Sequence, residues 1–276
     1  METRAQHETP IDMKHAAKNR KLIVANWKMN PQTRKEAGQL SRAVQQGIRG
    51  AKNVEVVLCP PLPYLSIVNC QLSVVGKGAQ NCFYQQNGAY TGEVSPAMLK
   101  DIGCGYVIIG HSERKKYAGE TNEIINKKLK AALRAGLKVI LCIGEESRDS
   151  FDSRGRWTHE LDPKVKEQLV EAVKGVKKSQ IGNIAVAYEP VWAIGTGNPA
   201  TPDDVLSAKI FIRKIMSELY SRKDADKVLV LYGGSTNRKN TVDFIKDGQM
   251  DGLLVGGASL DPEEFITMIK EVSEVS

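Results

Sequence analysis

No apolar run in this chain approaches the ~20 residues that a membrane-crossing helix needs, so no membrane association is expected. Cysteine is sparse and unpaired in pattern. The five, at 59, 70, 82, 104 and 142, include no C-x-x-C pair, which argues against a disulfide framework and a zinc site and for a reducing, cytoplasmic setting. Cys142 falls inside a strand pattern and reads as a small buried apolar residue. Histidine is scarcer still: there are four, and His7 and His15 sit in a polar N-terminal stretch. No G-x-G-x-x-G turn follows the first predicted strand, where Asn26-Trp27-Lys28-Met29-Asn30 stands instead; an open dinucleotide-binding sheet loses its usual signature. Nor do aromatic residues interleave with basic ones. The net charge of +7 therefore reads as solvated helix surface plus an affinity for small anions, with no nucleic-acid partner expected.

What is present is a strand rhythm. Short aliphatic runs recur at Leu22–Ala25, Val54–Leu58, Leu72–Gly76, Tyr106–Ile109, Lys138–Ile143, Ile184–Ala187, Val228–Leu231 and Leu253–Val255. Near-continuous apolar strands imply burial on both faces, as in parallel sheets. Amphipathic helical stretches lie between them. Ser95-Pro96, Thr201-Pro202-Asp203-Asp204 and Asp261-Pro262-Glu263-Glu264 each put a capping oxygen before a proline at the first helical position. A further helix runs from Thr121 to Arg134 and stops at Gly136. Eight such units in 276 residues predict a single-domain α/β protein, a closed (β/α)8 barrel over residues 21–276, since barrels of this kind run near ~250 residues. Residues 1–20 mix acids and bases without an apolar stretch and read as a disordered polar arm; they are no secretory signal, and their acidic residues weaken a transit-peptide reading.

In a closed barrel the carboxyl-terminal strand ends share one mouth, so polar residues far apart in sequence meet there. Glu189 ends the sixth run before Pro190, ringed by Tyr188, Trp192 and Ile194. A carboxylate partly desolvated by a closing loop suits a general base. His111 ends the fourth run and opens a helix-like turn, where the dipole favours a neutral ring that can donate to a carbonyl oxygen. Lys28, just past the first strand, can hold a phosphate or stabilise an enediolate oxygen, and Asn26 shares its face of the strand. Glu113 is expected to tether Lys28 or Arg114, and Ser112 to contact His111 or the base. Gly195-Thr196-Gly197, Gly233-Gly234-Ser235 and Gly256-Gly257 form the candidate phosphate cradle, because glycines let backbone N–H groups approach an oxyanion closely. Pro190–Ala200 carries almost no charge in its middle and reads as a lid that excludes water when closed. The set suits proton transfer next to the carbonyl of a small phosphorylated molecule.

Taken together, Asn26-Trp27-Lys28-Met29-Asn30, Ile109-Gly110-His111-Ser112-Glu113-Arg114, Ala187-Tyr188-Glu189-Pro190-Val191-Trp192-Ala193-Ile194-Gly195-Thr196-Gly197 and Tyr232-Gly233-Gly234-Ser235 resemble the triosephosphate isomerase family nearly letter for letter. Gly78-Ala79-Gln80-Asn81, Gly92–Pro96, Cys142–Glu145 and Asp251–Ala258 extend the match. The resemblance implies interconversion of dihydroxyacetone phosphate and glyceraldehyde 3-phosphate with no metal and no organic cofactor. Glu189 would move the proton between carbons and His111 between oxygens, with Lys28 and Asn26 stabilising charge. Gly195, Ser235, Gly256 and Gly257 would grip the phosphate. It further implies a homodimer, with the loop Phe83–Glu93 inserted into the partner and Thr91 reaching across.

Three features depart from the family pattern: the lid hinge Asn198-Pro199-Ala200, where proline fixes φ, the longer segment Arg148–Trp157, and the N-terminal arm. Two rivals stand beside the isomerase. A Schiff-base aldolase would need a desolvated lysine in a strand, and Lys77 lacks a recognisable partner there. A non-catalytic sugar-phosphate-binding barrel or scaffold would have no use for the complete set Asn26, Lys28, His111 and Glu189.

Overall fold

Alternation along each strand decides which side chains fill the barrel and which face the helices. A computed structural model describes residues 20–147, 161, 163–193 and 200–276. Its strands are β1 (Lys21–Asn26), β2 (Val54–Cys59), β3 (Val75–Ala79), β4 (Tyr106–Ile109), β5 (Lys138–Glu145), β6 (Ile184–Pro190), β7 (Leu229–Tyr232) and β8 (Gly252–Val255). All neighbours pair in parallel, and β8 pairs with β1 to close an eight-stranded barrel. Leu22, Val24, Val57, Cys142, Ala185, Ala187 and Leu231 cluster inside the barrel. Ile23, Ala25, Val56, Ile143, Val186 and Val230 pack outward on the helix layer. Every strand but β3 is therefore apolar on both faces, and burying a Leu or Ile on either is worth about 1.5–3 kcal/mol.

The helices are α1 (Arg34–Gly47), α2 (Pro96–Asp101), α3 (Ser112–Ala118), α4 (Asn122–Arg134), α5 (Pro163–Val173), α6 (Pro202–Leu219), α7 (Arg222–Ala225), α8 (Thr241–Lys246) and α9 (Pro262–Val275). The expected caps are in place. Ser95, Thr121, Thr201 and Asp261 each accept a first-turn backbone N–H, with proline following at Pro96, Pro202 and Pro262. Among the described residues no helix is long and apolar enough to cross a membrane.

One strand expectation needs correction. β3 begins at Val75 rather than Leu72 and continues to Ala79. Leu72 O instead accepts from Val75 N across a turn, and Leu72 and Val74 pack against the outer core. The real strand, Val75-Gly76-Lys77-Gly78-Ala79, is poor in branched residues, so its apolar signal lies just upstream of it. The polar arm through residue 19, the segment 148–157 and the middle of the lid, including Gly195 and Pro199, lie outside the described residues.

Candidate active site

The interior column Ala185, Ala187 ends at Glu189, so the alternation that buries two alanines carries the carboxylate to the mouth. Glu189 is only 1% exposed. It pairs in register with Gly144 on β5. A Cβ on Gly144 would lie 1.9 Å from Glu189 O, so only glycine lets the two backbones run this close. The Ser112 backbone N–H donates to Glu189 Oε2 at 2.9 Å. Glu189 Oε1 lies 3.2 Å from His111 Nε2 but is not aligned for a hydrogen bond, and it stays buried without a donor. Ser112 thus meets the carboxylate through its amide, at the start of α3.

His111 is the N-cap of α3 and 7% exposed. Its Nδ1 accepts the Glu113 N–H at 3.3 Å, which leaves Nε2 as the N–H of a neutral ring facing Glu189. Glu113 reaches the other way: its Oε1 lies 2.7 Å from Lys28 Nζ. Of the two tethers expected for Glu113, Lys28 is the one formed, because Arg114 pairs with Glu120.

Lys28 itself sits in left-handed backbone, φ 53°, unusual for a residue with a side chain. Two contacts fix it there. Asn26 Oδ1 accepts Lys28 N at 3.1 Å, and Gln80 Nε2 donates to Lys28 O at 2.8 Å and to Cys59 O at 2.9 Å. Asn26 therefore shapes the Lys28 backbone as well as lining the mouth. Gln80 was not among the expected site residues. Its signal was obscured with β3: once that strand is taken to end at Ala79, Gln80 is the next residue at the rim.

Asn26, Lys28, His111, Gly233, Gly234, Ser235, Thr236, Gly256 and Gly257 surround one cavity of about 240 Å³. No acceptor for the backbone N–H of Gly234, Ser235 or Thr236 is found among the described residues. The turn is braced from behind, where Asn240 Oδ1 accepts Asn237 N at 2.9 Å and Asn240 Nδ2 donates to Ser235 O. Gly234 cannot carry a side chain, since its Cβ would meet Tyr232 Oη at 2.2 Å. Glu189 lies on the wall of a neighbouring cavity of about 670 Å³, shared with Ser112, Lys115, Gly144 and Gln168.

Both described ends of the lid are anchored. Trp192 Nε1 and Tyr188 Oη donate to Glu145 Oε1 at 3.2 and 2.6 Å, and Ala200 N donates to Tyr232 Oη at 3.2 Å. Cys142 is buried below Glu189, and burial pushes its thiol well above the usual range, as fits a packing residue. Lys77 donates to Ile102 O at a site partly open to solvent, so it is no desolvated nucleophile.

Fold and rim together define a (β/α)8-barrel protein whose carboxyl-terminal mouth gathers a buried carboxylate, an imidazole, an ammonium and glycine-rich turns. The sequence model of triosephosphate isomerase matches residues 21–272. The chain belongs to the triosephosphate isomerase family. It is 44% identical over 253 residues to the triosephosphate isomerase of Dictyoglomus thermophilum, covering 91% of this chain and 99% of that one. Against the triosephosphate isomerase of Carboxydothermus hydrogenoformans it is 45% identical over 251 residues, 90% and 97% of the two chains. Against that of Aquifex aeolicus the identity is 42% over 252 residues, 91% and 98% of the two chains.

Proposed function

We propose that this protein interconverts dihydroxyacetone phosphate and D-glyceraldehyde 3-phosphate, an isomerase step of glycolysis and gluconeogenesis. One observation carries the reading: a single cavity is lined by Lys28, His111 and the run Gly234-Ser235-Thr236, whose three backbone N–H groups have no acceptor among the described residues. The phosphate occupies the cradle of Ser235, Gly256 and Gly257, joined by Gly195 from the lid. Glu189 takes a proton from C1 of the ketone, and the electron pair moves onto the carbonyl oxygen to give an enediolate. Glu189 then returns the proton to C2, which yields the aldehyde. The neutral His111 donates from Nε2 to the carbonyl oxygen and moves protons between the two oxygens. Lys28, oriented by Asn26 and Glu113, stabilises the enediolate charge. Before substrate arrives, the Ser112 amide holds the carboxylate, whose buried Oε1 has a place for one more partner.

A homodimer fits the surface beside the mouth. Met29 is 84% exposed and Tyr117 76%, both lining a cavity of about 470 Å³ next to Lys28. The loop Phe83–Glu93, with exposed Tyr90 and Thr91, is the element proposed to fill the partner's copy of that cavity. Cytoplasmic residence agrees with five unbridged cysteines. Nothing in the site favours a non-catalytic scaffold.

A coupled assay tests the activity: glyceraldehyde 3-phosphate is supplied with EDTA present, and dihydroxyacetone phosphate is read by its reduction. Fast turnover that vanishes in Glu189→Gln is the expected result. A folded protein that binds phosphate but turns nothing over would overturn it.

A further inference from the structure

Five side-chain polar atoms among the described residues are buried without a hydrogen-bond partner: Trp27 Nε1, Glu120 Oε2, Glu189 Oε1, Thr236 Oγ1 and Glu271 Oε2. Of these residues, Thr236 alone lines the cavity between Lys28 and the glycine turns. It is 8% exposed, so its hydroxyl has given up water and gained nothing in return. Such a group destabilises a folded chain, and valine would fill the same shape without that cost. Packing therefore does not account for a threonine here.

The surroundings supply a reason. Thr236 ends the run Gly234-Ser235-Thr236, whose three amides also lack acceptors among the described residues, so this one residue carries two donors with no partner there. Across the same cavity lie Lys28 and His111. Donors gather on this wall and no carboxylate among the described residues lines it, which is the complement of a phosphate dianion with its many lone pairs. The braces on Ser235 O and Asn237 N hold the turn from the side of Asn240.

We propose that Thr236 is a phosphate-binding residue, its hydroxyl donating to the substrate's phosphate beside Ser235. The proposal rests on reading the cavity as the phosphate site of the isomerase. In the unliganded chain the hydroxyl is covered, so its bond forms as the Gly233-Gly234 turn draws onto the anion. The chain thus carries a stability cost in the empty state that binding removes.

The test compares the full-length parent with Thr236→Val and Thr236→Ser. Inorganic phosphate is the probe, with its Kd measured by calorimetry and its effect on Tm by thermal unfolding. The valine variant should bind phosphate about tenfold more weakly, and the serine variant within about twofold of the parent, since serine keeps the hydroxyl. Without phosphate the valine variant should melt no lower than the parent, yet gain less Tm when phosphate is added. A merely structural threonine would change the unliganded Tm and leave the phosphate-induced gain intact. Equal phosphate affinity in parent and valine variant overturns the proposal, as does a parent that binds no phosphate. A parent that binds phosphate but does not isomerise triose phosphates overturns the isomerase reading alone, and the variants' affinities still decide the role of Thr236.

Discussion

The Ser112 backbone N–H donates to Glu189 Oε2 at 2.9 Å, tying the first turn of α3 to the last residues of β6. The bond joins a peptide amide at a helix start to a carboxylate at a strand end, so neither partner can move far without shifting a secondary-structure element.

Shortening the base tests that geometry. Glu189→Asp draws the carboxylate back by one methylene, away from both Ser112 N and His111 Nε2. The expected outcome is a fall in kcat of roughly 10²–10³, with KM within a few-fold of the parent, since positioning errors near ~1 Å are costly for proton transfer. Steady-state kinetics separates the two constants, and a loss seen only in KM would remove Glu189 from the role of base.

Gln80 offers a second test, remote from the reacting atoms. Gln80→Leu deletes the donor to both Lys28 O and Cys59 O and frees the left-handed backbone of Lys28 to relax. We expect kcat/KM to fall about tenfold while the fold persists, because the ammonium loses its fixed position. Circular dichroism checks the fold, and unchanged kcat/KM in a folded variant would show that Asn26 and Glu113 suffice to hold Lys28.

Much of this arrangement is legible in the chain itself. The runs that became β1, β4 and β6 are apolar at odd and even positions alike because one set fills the barrel and the other meets the helices. Capping oxygens before Pro96, Pro202 and Pro262 mark helix starts that the structure keeps. The same logic puts Asn26 and Glu189 at strand ends and His111 two residues beyond β4, and the barrel brings these ends together. It fails at β3, where Gly76 and Gly78 leave the strand with little hydrophobic pattern and Leu72 and Val74 draw attention upstream. Gln80 was missed as a site residue for that reason. The left-handed φ of Lys28 was invisible because it depends on hydrogen bonds from its own backbone N–H to Asn26 and from the distant Gln80 to its carbonyl, which the residue type alone does not reveal. The orphan hydroxyl of Thr236 is likewise a property of its packed environment, which a single letter cannot reveal.

Gly144 is tested by adding one carbon. In Gly144→Ala the new Cβ would fall 1.9 Å from Glu189 O, a backbone atom that no rotamer change can move aside. β5 and β6 must separate at the mouth, at a cost of about 1–3 kcal/mol of stability. Activity should fall along with it, because Glu189 moves with its strand. Urea unfolding and kcat on the same sample check both, and a variant with parental stability and rate would contradict the close register.

Asp224 gives a pH test on the other side of the molecule. Its carboxylate accepts from Lys227 Nζ at 2.7 Å and Ser221 Oγ at 2.6 Å, with Lys178 Nζ at 3.1 Å. The Lys227 hydrogen bond first, then that of Ser221, hold its pKa well below the usual carboxylate range. A depressed folded pKa stabilises the protein above the unfolded value of about 4, and that contribution is lost as pH falls through the lower folded value. Asp224→Asn should therefore melt below the parent at neutral pH, and the gap should narrow as pH drops below about 4. Thermal melts across pH 2–8 read it, and a constant gap would assign the effect to packing.

Lys21 opens β1, and Ser276 O accepts from Asn53 Nδ2 just before β2, so both ends of the barrel-forming chain lie at the face opposite the mouth. A strand of six residues puts about 20 Å between that face and the rim. Cargo fused after Ser276 would hang from the barrel's underside. Molecules tethered by that end to a bead or a neighbouring barrel would present their mouths outward, each still open to diffusing substrate.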